Sequence, residues 1–570
     1  MSRPPAGRLV ALLIALTLAF TGIVSRLAVL QARDGEAFAR MGFDQRVRTV
    51  ALPAERGQIL DRSRTPLAIT LEARDIYANP TQVLDARSEA ERIAPLLGMK
   101  VFEVRRRLQS EGTFAFVARQ VDRDIAANVD ALHLPGIGLL PVPKRYYPAG
   151  NLAANVLGFV GVDGHGLSGL EDQYDSVLAG APGERTAEVN PDGLPIAQGM
   201  DVVQAPQPGR DVVTTIVRDL QFYAQVQLRE AVESNHALGG TLIVMDPVTG
   251  DIYAMATYPT FDPNRYSTYE QSRFRNRAVT DAFEPGSVNK VITAAAAVQE
   301  AAFPLDRRFT VPDHVEVDDY TIHDSHPHPT EEMTLGDIVA QSSNVGAVRV
   351  ADLVGADRLS AYLAKFGFGE PTGLGFPGES GGIVPPLAQW SDASLATIAY
   401  GQGVSVTPLQ MASVYATIAN GGKYVRPRLV RGTLDASGAF EAAPASPTRR
   451  VVSAGTAATV TEMLAFVVAD GTGSAAQIPG YQVAGKTGTA LKPDPRTGGY
   501  SHKYVASFIG FLPASQPRVV VAAILDEPST IYGGIAAAPL FQKVARYAIQ
   551  RLGIAAAPDV GIPPHAMPTG

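Results

Sequence analysis

Three short motifs carry the candidate chemistry of this chain. Ser287-Val288-Asn289-Lys290 sets a hydroxyl and an amine three residues apart, so on a helix the two side chains share one face. A serine hydroxyl attacks only after something takes its proton, and Lys290 can take it only when neutral. Its ordinary pKa near 10.4 must then fall by roughly 3 units, about 4 kcal/mol of environmental bias. Burial and a second cation, Lys486, are the expected sources of that bias. Ser342-Ser343-Asn344 adds a hydroxyl that relays a proton to a leaving amine and an amide that holds a substrate amide. Lys486-Thr487-Gly488-Thr489 reads as an edge strand: a cationic rim and two hydroxyls for a carboxylate, with Gly488 letting a backbone approach closely. The backbone N–H groups of Ser287, at a helix N-terminus, and of Thr489 are candidate oxyanion donors. Together these are the parts of acyl transfer through a covalent serine ester at Ser287.

Each motif alone has an ordinary reading. Ser287 and Lys290 fit a helix cap with a solvated lysine, the Ser342 motif a capped helix end, and the Lys486 motif a plain edge strand. Two decoys are removed by context. Gly480 to Thr487 matches the P-loop pattern letter for letter, yet Gly488, Pro493 and Pro495 forbid the helix that must follow it, so no nucleotide is expected. Gly378-Glu379-Ser380-Gly381-Gly382 matches a nucleophile elbow, but Pro385-Pro386 block its helix, leaving a loop. His323, His326 and His328 with Asp319 and Asp324 lie in a Pro-rich stretch with no helix to fix ligand geometry; it reads as a solvated polar loop, and no metal or other cofactor is expected.

The elements that position the motifs follow from patterning. Residues 88–97 and 100–108 show helical spacing, and Leu170–Leu178 a short helix. Glu55 to Arg62 reads as a turn entering a strand. Thr241–Met245 and Asp251–Ala256 flank Asp246-Pro247-Val248-Thr249-Gly250, a hairpin signal. Val288–Ala302 is an alanine-rich helix entered through Pro285-Gly286, and Leu335–Ala340 an apolar helix leading to Ser342. Tyr504–Phe511 and Arg518–Leu525 read as buried strands before a final helix from Pro539 to Leu552. Strands at both ends with helices between give one mixed unit.

At 570 residues the chain exceeds one ordinary domain. A net charge of −7 argues against nucleic acid as a partner. The absence of cysteine removes disulfides, thiol nucleophiles and thiolate metal sites. Leu9 to Ser25 is an uncharged apolar run, extended to Leu30 if Arg26 snorkels. Arg3 and Arg8 precede it and no small-x-small cleavage site ends it. This predicts an uncleaved signal anchor in the inner membrane, N-terminus cytoplasmic and the bulk periplasmic. The expected fold is α+β and multidomain: a tail at 1–8, an anchor at 9–30, a first folded domain at 31–205, a mixed domain with the three motifs at 206–552 and a disordered tail at 553–570. The Pro/Gly-rich Gln204–Gly209 marks the boundary.

With the motifs in this order, the chain resembles the class B penicillin-binding proteins, most closely the cell-division (FtsI-like) D,D-transpeptidases. The likeness extends to Arg56-Gly57-Gln58-Ile59-Leu60-Asp61-Arg62, Gly169-Leu170-Glu171, Phe283-Glu284-Pro285-Gly286, Tyr400-Gly401-Gln402-Gly403 and Tyr532-Gly533-Gly534. The resemblance implies that residues 206–552 form a β-lactamase-like serine domain with an antiparallel sheet flanked by helices, and that residues 31–205 form an elongated pedestal. It implies Ser287 as nucleophile and Lys290 as base, Ser342 and Asn344 acting on proton transfer and positioning. Lys486, Thr487 and Thr489 would bind the terminal carboxylate of a D-Ala-D-Ala stem peptide, and β-lactams would acylate Ser287. A SEDS-family glycosyltransferase and other divisome proteins are the implied partners, contacted through the anchor and the Arg56–Arg62 region. An elongation- or sporulation-type paralogue, a carboxypeptidase or a β-lactamase shares the motifs. A β-lactam sensor or a non-catalytic divisome scaffold is the alternative from another class; an intact motif set argues against the scaffold, and the short cytoplasmic tail against the sensor.

Overall fold

The computed structural model describes residues 6–33, 36, 40–42, 46–189, 196, 200–494, 496–497 and 499–561. The expected tails at 1–5 and 562–570, and Pro495, lie outside them. The chain divides into two compact units, Met1–Glu55 with Gly180–Pro208, and Arg56–Ala179 with Gly209–Gly570.

The first unit holds the apolar helix Ala6–Ala32, whose most apolar 18-residue stretch has a mean hydropathy of 2.1 and none of whose residues is buried. At 1.5 Å per residue its 27 residues exceed the roughly 30 Å of a bilayer core. The unit also contains a three-stranded antiparallel sheet in which Gly183–Glu188 lies between Val47–Leu52 and Asp201–Gln204.

Beside three two-stranded sheets among the described residues, the second unit is built on two large ones. One mixes the two expected domains: Ile59–Leu60 runs parallel to Asp211–Thr214, which pairs with Val430–Leu434, while Ile59–Leu60 also pairs with Pro66–Ala78. A shared sheet is why residues 56–179 group with the domain that follows rather than with 31–55. The Arg56–Arg62 run, expected to face a partner, is internal instead. Arg56 is 6% exposed and pairs with Glu171 at 2.7 Å and Asp175 at 2.6 Å. Arg145 reaches the other Glu171 oxygen at 2.7 Å, and Arg62 pairs with the buried Asp251 at 2.6 Å. Arg56, Arg145, Glu171 and Asp251 are tolerated in the interior because each is paired and hydrogen-bonded.

The other sheet is antiparallel and five-stranded, ordered Ile252–Tyr258, Gly239–Met245, Val519–Asp526, Gly499–Leu512, Ala484–Asp494. Its central strands, Gly239–Met245 and Val519–Asp526, are almost wholly apolar because both faces are covered. Leu242 and Val244 join Leu220, Leu228, Phe541 and Val544 of the helices Arg218–Ser234 and Ala538–Leu552 in one core. Ile243 and Met245, on the opposite face, join the core that holds Val291, Ile292 and Ala295 of the helix after Ser287. The period-two alternation of a strand divides the two cores. The stretch 553–561, expected to be disordered, packs back on the domain: the Tyr481 hydroxyl donates to Ile554 O at 2.8 Å, and Val560 N donates to Gln482 Oε1 at 2.6 Å.

Candidate active site

The first motif opens on a 3₁₀ turn, Gly286–Asn289, before the α-helix Lys290–Gln299 begins. A 3₁₀ turn has three residues per turn, so positions i and i+3 eclipse more closely than on an α-helix. Lys290 Nζ accordingly lies 3.0 Å from Ser287 Oγ. The same nitrogen donates to Asn344 Oδ1 at 2.8 Å, to Ser342 O at 2.5 Å and to Ser342 Oγ at 3.3 Å. Two motifs that are 52 residues apart in sequence therefore meet at one amine.

Lys290 is 2% exposed, and burial pushes its pKa down to about 7, against the opposing pull of the Asp324 carboxylate. The second cation does not supply the shift, as was expected of it. Burial alone lowers Lys290, whereas Lys486 is itself lowered well below its ordinary value by burial and, further, by the charge of Lys290.

Ser342 ends the helix Leu335–Gln341 in the left-handed region at φ 64°, and Ser343 caps the next helix, Asn344–Val354, by accepting from Gly346 N at 2.8 Å. A turn between two helices thus presents Ser342 and Asn344 to the cleft.

The third motif lies on Ala484–Asp494, the edge strand of the five-stranded sheet. Strand alternation turns Thr487 and Thr489 into the cleft and Lys486 inward. Lys486 is fully buried rather than a cationic rim; its Nζ donates to Thr487 O and Thr487 Oγ1, both at 3.3 Å. Thr487 Oγ1 also meets Thr472 Oγ1 at 2.8 Å, and Thr489 Oγ1 accepts from Gly533 N at 3.3 Å. Gly488 has no room for a side chain: a Cβ there would meet Ser507 Oγ at 2.3 Å and Val288 Cγ1 at 3.0 Å. The three motifs converge on one cleft of about 780 Å³, lined among others by Ser287, Ser342, Asn344, Thr487, Thr489 and Tyr532.

Asp324 is the functional neighbour the sequence reading missed. The stretch around it was expected to be solvated, yet its side chain is 7% exposed. Asp324 accepts from Ser343 Oγ at 2.6 Å, from Val345 N at 3.0 Å and from Asn344 N, while Asn344 Nδ2 donates to His323 O at 2.9 Å. His328 Nε2 stands 3.0 Å from the same carboxylate, which raises the imidazole pKa although burial opposes it. A separation of 19 residues gives no periodic signal for such a contact. Glu284, three residues before Ser287, is also buried. It accepts from Gly403 N at 3.0 Å and from the Tyr500 hydroxyl at 3.2 Å, and burial raises its pKa.

A serine held against a buried amine near neutrality, beside a hydroxyl-amide turn and a hydroxyl-bearing strand edge, is equipped for acyl transfer. Residues 240–546 match the penicillin-binding protein transpeptidase domain, and residues 51–214 the penicillin-binding protein dimerisation domain. The chain belongs to the penicillin-binding protein transpeptidase family. This penicillin-binding protein is 38% identical over 543 residues to penicillin-binding protein PbpB of Mycobacterium tuberculosis, covering 90% of this chain and 80% of the relative. It is 34% identical to the peptidoglycan D,D-transpeptidase FtsI of Escherichia coli K12, covering 95% and 91% of the two chains. Among solved structures it is similar to penicillin-binding protein 3 of Mycobacterium tuberculosis complexed with aztreonam, with a TM-score of 0.71, 35% identity and coverage of 90% and 99%. The dimerisation-domain match includes residues of both compact units.

Proposed function

We propose that this penicillin-binding protein is a peptidoglycan D,D-transpeptidase of cell division that works through a Ser287 acyl-enzyme. The observation that carries the reading is the 3.0 Å approach of Lys290 Nζ to Ser287 Oγ on an amine whose pKa is near 7. Neutral Lys290 takes the Ser287 proton as Oγ attacks the carbonyl between the two terminal D-alanines of a stem peptide. The N–H groups of Ser287 and Thr489 receive the oxyanion; losing one such donor typically costs roughly 3–4 kcal/mol. Ser342 passes the proton to the departing D-alanine amine, and the Asn344 amide holds the peptide. The Thr487 and Thr489 hydroxyls bind the terminal carboxylate, with Lys486 acting through Thr487, whose hydroxyl it orients. The amine of a second stem then attacks the ester, forming the cross-link and releasing Ser287. β-Lactams stop at the ester.

The apolar helix serves as a single-pass anchor, N-terminus cytoplasmic and the remainder periplasmic, with residues 31–205 as pedestal. A SEDS-family glycosyltransferase and other divisome proteins are its partners, met through the anchor, since Arg56 and Asp61 are buried.

Mass spectrometry of the full chain after exposure to penicillin tests the reading. A long-lived adduct on Ser287, absent in Ser287→Ala, is expected. Rapid drug turnover would make the protein a β-lactamase, and no adduct would overturn the assignment.

A further inference from the structure

The catalytic cleft does not end at Ser287. Its wall residue Leu491 also lines a second cavity of about 340 Å³, which holds Glu284, Lys492 and Asp526. Arg275 lines that second cavity and also a third, an open groove of about 650 Å³. Each hollow thus shares one wall residue with the next, Leu491 and then Arg275.

The third groove differs in chemistry from the other two. Its floor is aromatic: Phe159 stacks on Tyr266 at 4.5 Å with rings 19° apart, and Phe274 meets the Phe159 ring edge at 4.8 Å. Tyr269 continues this surface and packs against Phe274's partner, Phe261, at 6.3 Å. Polar groups stand at the margin: the exposed Gln271 and Arg275, and the Ser168 hydroxyl, which is buried without a hydrogen-bond partner. Arg275 is half-exposed and meets Asp281 at 3.1 Å.

Rigid aromatic faces with sparse hydrogen-bonding groups at the rim suit a pyranose, which presents an apolar C–H face bounded by hydroxyl and amide substituents. The packed rings are ordered before any ligand arrives, so binding costs little conformational entropy. A continuing peptide would instead need an open strand edge, and the groove is lined by helical turns and loops. We infer that this groove binds a sugar of the donor glycan strand, whose stem peptide runs along the shared walls to Ser287. The inference rests on the transpeptidase reading above and adds to it a glycan subsite remote from the reacting bond.

The test compares D-alanine release by the full chain from one D-Ala-D-Ala stem peptide, free or linked to its disaccharide, with acylation by penicillin measured alongside. Tyr269→Ala is expected to raise KM for the glycan-linked substrate about tenfold with kcat unchanged, the mark of lost uniform binding. The free peptide and penicillin should react as with the parent protein. Tyr269→Phe, which keeps the ring, should restore the parent KM. An equal loss on both peptides would show a structural role and overturn the inference, as would an unchanged KM. Failure of penicillin to acylate the parent protein would refute the transpeptidase reading instead.

Discussion

Asp324 and Ser343 are joined by a 2.6 Å hydrogen bond from the serine hydroxyl to the carboxylate, which ties the turn of the second motif to the end of the strand Tyr320–His323, 19 residues earlier. The carboxylate also receives the first backbone N–H groups of the Asn344 helix. Asp324→Ala leaves these donors without a partner, at about 1–3 kcal/mol for each buried one. A lower Tm and a marked slowing of penicillin acylation are expected, because Asn344 Oδ1 is no longer held 2.8 Å from Lys290. Acylation at the parent rate would show that the turn holds its shape unaided.

With Lys290 as the proposed base, acylation should depend on pH. Its pKa is lowered to about 7, so the neutral base predominates above that value and is lost as pH falls through it. The acylation rate, followed by adduct mass from pH 5.5 to 8.5, should rise through about pH 7 and then level. A flat profile would remove Lys290 as the base. Lys290→Arg should give no acylation at any of these pH values, since a guanidinium stays protonated.

Gly401 has φ 90°, and a Cβ there would meet Gly286 O at 2.2 Å and Gly286 N at 2.7 Å. These are backbone atoms of the turn that carries Ser287, so they cannot rotate away. Gly401→Ala should cost about 1–3 kcal/mol in overpacking and slow acylation as the turn is pushed aside. Parent values of both Tm and acylation rate would contradict the contact.

Glu171, fully buried, is shared by Arg56 and Arg145. Removing one partner of a buried ion network typically costs about 3–5 kcal/mol. Glu171→Ala should therefore lower Tm strongly while the folded fraction keeps its acylation rate, since none of these groups lines the catalytic cleft. Calorimetry with a parallel acylation assay checks both halves.

Much of the acyl-transfer domain was legible because its signals are local. The hairpin at Asp246–Gly250, the helix entered through Pro285-Gly286 and the edge position of Lys486 each follow from patterning within a dozen residues. Long-range relations were not legible. Nothing near Arg56 in sequence reveals that its partners are Glu171 and Asp175, 115 and 119 residues away, so the buried ion network leaves no local signal. A lysine on a strand edge is expected at the rim, where it can bind a carboxylate, yet Lys486 is fully buried. The turn inward comes from strand register, set by the pairing of Lys486 with Ile509. The 3₁₀ opening of the Ser287 helix also escaped, since the α-helical spacing puts the same two side chains together.

The left-handed backbone of Ser342 has a consequence of its own. Glycine adopts that conformation without steric cost, whereas a residue with a Cβ gives up roughly 1 kcal/mol. Ser342→Gly should therefore melt higher than the parent protein while losing the hydroxyl that faces Lys290. At this one position robustness and reactivity favour different residues. A screen for heat resistance alone would drive the chain toward a sturdier and slower enzyme.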